Sequence, residues 1–96
     1  MTGEAALERV VEELRALAVV QRVILFGSRA RGDHAPRADF DLAVEAPEAN
    51  AAQWDAIARC VDGAATLVPI DLVRLDLAPE DLRNRIDSEG RILYER

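Results

Sequence analysis

Asp39-Phe40-Asp41, Asp71 and Gly27-Ser28 are the residues of this chain whose types and spacing suit chemistry. In an extended strand, residues two apart face the same side, with Cα atoms ~6.6–7 Å apart. Two carboxylates so placed repel unless a cation lies between them. Hard divalent ions such as Mg²⁺ take carboxylate oxygens and keep positions open for substrate phosphates. Asp71 stands between Ile70 and Leu72, where a buried charge needs a reason. A third carboxylate on an adjacent strand completes a ligand set for two ions; Asp76, at a strand end, is the alternative. Gly27 lets backbone approach a phosphate closely, the amides opening the next turn point outward, and Ser28 adds a hydroxyl donor. Arg29 and Arg31 are near enough in sequence to neutralise triphosphate charge, or equally are solvated loop charges. Carboxylates for metal beside a nest for phosphate describe nucleotidyl transfer by two metal ions.

The other reactive residue types add little. His34, the sole histidine, reads as a surface loop residue, and Trp54 as core. Cys60 is the single cysteine, so an internal disulfide and a cysteine-based zinc site are excluded. All twelve basic residues are arginine. That closes every route needing lysine: the phosphate-loop lysine, Schiff bases and the kinase lysine–glutamate pair. Any phosphate must be held by arginine, backbone amides, hydroxyls or metal. The net charge of −6 argues against nonspecific binding of nucleic-acid backbone.

These residues need a scaffold, and 96 residues, half of them apolar and 31% charged, make one small domain. Residues 4–19 read as an amphipathic helix, with Leu7, Val10, Val11, Leu14 and Leu17 on one stripe. Gln21 to Phe26 is a buried strand, ended by Gly27-Ser28. Arg29 to Gly32 makes a helical turn and His34 to Arg37 a loop. Asp39 to Val44 alternates, with Phe40, Leu42 and Val44 facing one way and Asp39, Asp41 and Ala43 the other. Pro47 suits the start of a helix carrying Trp54, Ile57, Ala58 and Val61, stopped at Asp62-Gly63. Thr66 to Leu75 is the third strand, with Pro69 marking an edge or a bulge. Ala78 to Asp81 opens a last helix, Gly90 closes it, and Arg91 to Glu95 adds a short strand. The expected fold is α/β (α+β): helices packed on a small mixed sheet of three to four strands. The longest strongly apolar run, Val23 to Phe26, is too short to span a bilayer, and no apolar-cored leader is present, so the expected location is the cytoplasm without membrane contact.

The central string resembles the signature of the polymerase-β-type nucleotidyltransferases: Gly-Ser, ten residues, then Asp-x-Asp. Here Gly27-Ser28 is followed by Arg29 to Ala38 and then Asp39-Phe40-Asp41. Gly-Ser-Arg-Ala-Arg-Gly after a strand, with Asp-Phe-Asp-Leu-Ala-Val as a strand, is similar to the minimal nucleotidyltransferase (MNT) subfamily. The resemblance covers the whole chain, 1–96, as a single nucleotidyltransferase domain. It implies metal-bound catalytic carboxylates at Asp39, Asp41 and Asp71, a nucleotide held at Gly27 and Ser28, ATP as substrate and Mg²⁺ as cofactor, with two ions. Arg29 and Arg31 join that nucleotide set from the residue reading above. It further implies a hetero-oligomer with a helical HEPN-domain toxin, onto whose tyrosine AMP is transferred, so that the chain is an antitoxin. Tyr94 would then be either a packing residue or a self-acceptor. The rival from another class is a non-enzymatic module that neutralises a partner by covering it. Paired carboxylates speak against that rival, and the lack of a C-terminal substrate lobe speaks against transfer to a small molecule without a partner subunit.

Overall fold

A computed structural model describes residues 2–64 and 68–96. Thr2 begins the first helix by capping it: its hydroxyl accepts from the Ala5 amide at 3.1 Å. Helix α1, Gly3–Arg15, then turns Ala6, Leu7, Val10 and Leu14 inward. It stops four residues short of the expected end at residue 19. Beyond its end the backbone folds into turns, and the Arg96 guanidinium donates to the carbonyls of Arg15, Leu17 and Val20. An arginine from the far end of the chain thus takes the carbonyls at the helix end.

Strand β1, Arg22–Phe26, runs into the single-turn helix α2, Ser28–Arg31, and after a loop into β2, Phe40–Glu45. Helix α3, Ala51–Asp62, starts four residues after Pro47, the expected start. Asn50 and Gln53 form a reciprocal capping box, with bonds of 2.8 and 2.9 Å, and that outweighs the proline. Strand β3, Ile70–Arg74, is the described part of the expected third strand; residues 65–67 lie outside the described residues. Leu75–Leu77 forms a 3-10 turn where the strand was expected to end. Helix α4, Glu80–Glu89, and strand β4, Arg91–Glu95, complete the chain as expected.

The four strands lie in the order β3-β2-β1-β4. β1 is antiparallel to β2 and to β4, while β2 and β3, joined through α3, are parallel. The sheet is therefore mixed, and β3 is an edge strand directly after Pro69. Both faces are covered. Val23, Leu25, Phe40, Leu42 and Val44 pack with Leu7, Val10, Leu14, Ile57 and Val61 of α1 and α3. Ile24 and Ala43 pack on the opposite face against Leu75 and Ile86, with Phe26 and Val73 alongside. The period-two alternation of β2 accounts for this division, and it puts Asp41 on the face of Ala43.

Candidate active site

The site forms where β1 ends and β2 begins. Their antiparallel register pairs Phe26 with Asp41, so the glycine after Phe26 lies against that carboxylate. Gly27 has φ +74°, the left-handed region that disfavours side chains, and a Cβ there would collide with Asp41 Oδ2. Glycine is required twice over at this position, by conformation and by space. Helix α2 follows immediately, and Gly32, at φ +85°, closes it with its amide on the Ser28 carbonyl at 2.9 Å. The first amides of such a turn have no partner within the helix, so those of Ser28 and Arg29 are available to an anion beside the Ser28 hydroxyl.

Parallel pairing of β2 with β3 sets Asp41 directly beside Asp71. Asp39 sits just before β2 on the same side. The three carboxyls feel one another. Asp41 is pushed above the ordinary aspartate range, first by desolvation, then by Asp71 and Asp39, with Arg31 opposing. Asp71 is pushed up by desolvation and by Asp39, although its side chain is exposed. The three are neighbours and not a closed cage: among the described residues no three His, Cys, Asp or Glu side chains are already gathered as a metal site. A divalent ion suits this donor set nonetheless. It consists of hard oxygens from adjacent positions, carrying repulsion that a cation would relieve.

The two arginines part company. Arg31 is exposed and reaches Asp33 at 3.2 Å and Glu89, at the end of α4, at 3.5 Å. It is the cation that acts on Asp41. Arg29 is 7% exposed and turns away from the carboxylates: Nε donates to the Ala38 carbonyl at 3.0 Å and Nη2 to the Pro36 carbonyl at 3.3 Å. Its guanidinium lies 4.3 Å over the Phe40 ring, and Nη1 reaches Glu4 of α1 at 3.5 Å. No periodicity or motif pointed to Glu89 or to these loop carbonyls.

Asp76, the alternative third carboxylate, is at the other end of β2. Its oxygens accept from the Ala46 amide at 2.9 Å and from Arg74 Nε at 3.0 Å, so it ties the end of β3 to the end of β2. Arg74 also donates to the carbonyls of Ala46 and Ala49 and stacks 4.9 Å over Trp54. Trp54 is half-buried against the main core. His34 is exposed in the loop between α2 and β2. Cys60 is half-buried, and desolvation raises its thiol above the usual range, which keeps it protonated. Tyr94 pairs with Val23, three residues before Phe26, and packs on the α1 side between the guanidiniums of Arg15 and Arg96. It is therefore across the sheet from Asp41.

Comparison with known proteins adds to this geometry. No curated protein matches the chain. Among solved structures, a toxin–antitoxin crystallised with AMP-PNP is similar at TM-score 0.71 and 26% identity, over 93% of this chain and 73% of that one. Two more share the fold. Tri-AMPylated Shewanella oneidensis HEPN toxin in complex with MNT antitoxin gives TM-score 0.66 and 22% identity, over 97% of this chain and 72% of that one. The toxin–antitoxin MntA-HepT gives 0.65 and 23%, over 97% and 73%. The family model described as "Polymerase beta, Nucleotidyltransferase" matches residues 8–96, which takes in every element from the middle of α1 onward. With Gly27-Ser28 against Asp41, and Asp41 beside Asp71, this chain belongs to the polymerase beta nucleotidyltransferase family.

Proposed function

We propose that the chain is a cytoplasmic, Mg²⁺-dependent transferase that moves AMP from ATP to a hydroxyl of a HEPN-type toxin, a tyrosine above all, and so acts as its antitoxin. The observation that carries this reading is the register that sets Asp41 between Gly27 and Asp71. Its support from other proteins is the likeness to toxin–antitoxin structures, one crystallised with AMP-PNP and one with a tri-AMPylated toxin.

The chain's residues divide the work. Gly27 gives the triphosphate room, and the Ser28 hydroxyl with the first amides of α2 donates to its outer phosphates. Arg31 leaves its exposed partners to neutralise phosphate charge. Asp39, Asp41 and Asp71 would hold Mg²⁺, which when bound neutralises charge at the reacting phosphate. The acceptor oxygen bonds to the α-phosphorus, the bond to the β-phosphate oxygen breaks, pyrophosphate leaves, and the acceptor proton passes to a carboxylate of the site. Asp39, Asp71 and the loop at 33–37 are exposed, so another chain can present its hydroxyl there.

The test is transfer of label to the partner. ATP labelled at the α-phosphate should mark the HEPN protein, and ATP labelled at the γ-phosphate should not. Label from the γ-phosphate would mean phosphorylation and would contradict the reading. A tight complex with no label from either would favour neutralisation by covering.

A further inference from the structure

Arg29 follows Ser28 directly, yet its side chain is spent on the segment that leads into Asp39. Nε takes the Ala38 carbonyl at 3.0 Å and Nη2 the Pro36 carbonyl at 3.3 Å. The guanidinium covers Phe40, the residue between the two aspartates, at 4.3 Å, and the side chain is 7% exposed. Glu4 of α1 supports it from outside at 3.5 Å. One planar fork thus spans the two halves of the site: the phosphate turn by its own backbone and the Asp39–Asp41 segment by its side chain. Lysine carries its three donors on one nitrogen and lacks the planar fork that reaches two carbonyls while lying flat on Phe40.

We infer that Arg29 is a positioning residue, holding the segment that carries Asp39 against the Gly27–Ser28 turn, beside an Asp41 already set by the β1–β2 pairing, so that metal and triphosphate meet. The inference rests on the transferase reading above and deepens it. It removes Arg29 from the set of phosphate ligands and gives it a part in metal affinity. Nothing else on the loop from Asp33 to Ala38 performs this link among the described residues. Asp33 pairs with Arg31, and the Ala38 amide bonds back to Ala35.

The experiment compares wild type, Arg29→Met, Arg29→Lys and Arg74→Met. Arg74 is a second arginine that clasps loop carbonyls, at the opposite end of β2, and serves as the control for loss of a structural clasp. Binding of Mn²⁺ alone is read by electron paramagnetic resonance of the free ion. The Mg²⁺ concentration for half-maximal AMP transfer and the KM for ATP at saturating metal are read separately. Arg29→Met should weaken Mn²⁺ binding about 10–100-fold, as loss of an outer-shell support does, and raise the Mg²⁺ midpoint likewise. The KM for ATP at saturating metal should change little, and Arg74→Met should lower the melting temperature without moving either metal readout. Arg29→Lys keeps the charge and stem but loses the planar fork, so it should fall between, and it carries the test if Arg29→Met does not fold. Unchanged Mn²⁺ affinity in both Arg29 variants would overturn the inference. So would a rise confined to the KM for ATP, since that is the behaviour of a phosphate ligand. A wild type that takes up no Mn²⁺ and transfers no AMP would instead sink the transferase reading, and this inference with it.

Discussion

At the scale of single residues, the site is a compromise between carboxylates and the fold that holds them. Asp41 titrates above the ordinary aspartate range of the unfolded chain. The folded state therefore binds more protons than the unfolded state between those two values. Stability contributed by this group is present below the unfolded value and is lost as pH rises through the folded one. The Asp41 carboxylate accepts no hydrogen bond among the described residues, so Asp41→Asn removes repulsion without breaking a bond. The variant should melt higher than wild type at neutral pH without metal, and the gain should fade below about pH 3, where the carboxyl is protonated in the folded and the unfolded state alike. Calorimetry across pH checks this, and a lower melting temperature at neutral pH would contradict it. Gly27→Ala places a Cβ at φ +74° against Asp41, so it should cost about 1–2 kcal/mol in denaturant melts. It should also reduce transfer more than Ser28→Ala, because it displaces a carboxylate as well as crowding the phosphate. The pairing of Asp39 with Asp41 was legible from the sequence, since period-two alternation is a property of any strand. The role of Arg29 was not legible. Its partners are backbone carbonyls, which every residue has, and so they leave no mark in the sequence.

At the scale of elements, local signals succeeded where local physics decides and failed where a distant residue intervenes. All four strands and the three longer helices were legible, α1 and α3 from apolar spacing and α4 from its acidic first turn and Gly90. Helix α1 was expected to run to residue 19 but ends at Arg15, because Arg96 claims the carbonyls beyond. The start of α3 was legible in principle. Asn50 and Gln53 have capping-box spacing, and Pro47 drew the boundary four residues early. Asn50→Ala should destabilise the domain by about 1 kcal/mol without altering AMP transfer by the folded protein, since α3 packs on the face away from Asp41. Urea melts alongside transfer rates separate the two effects, and a loss of transfer at full folding would show that α3 reaches the site. The pairing of Asp41 with Asp71 depends on a parallel crossover, and strand register across a crossover cannot be read from either strand alone.

At the scale of the whole molecule, arginine does the work that a mixed basic set would share. Arg29, Arg74 and Arg96 each bind two or three backbone carbonyls or a carbonyl pair with a carboxylate, fastening a loop, a strand end and a helix end. Such forks stiffen a domain with a radius of gyration of 12.5 Å and leave its site open at one end of the central strands. No helix among the described residues is long and apolar enough to cross a membrane. The net charge of −6 favours a basic surface on the partner, so association measured by stopped flow should slow as salt rises; a rate indifferent to salt would contradict that. As proposed, the Gly27–Ser28 turn and the three aspartates transfer AMP to another protein. The most direct measurement is the intact mass of the HEPN partner after incubation with ATP and Mg²⁺, using wild type and the double variant Asp39→Asn, Asp41→Asn. One or more AMP additions with wild type and none with the folded double variant is the predicted result. Equal AMP addition by both would contradict transfer at this site.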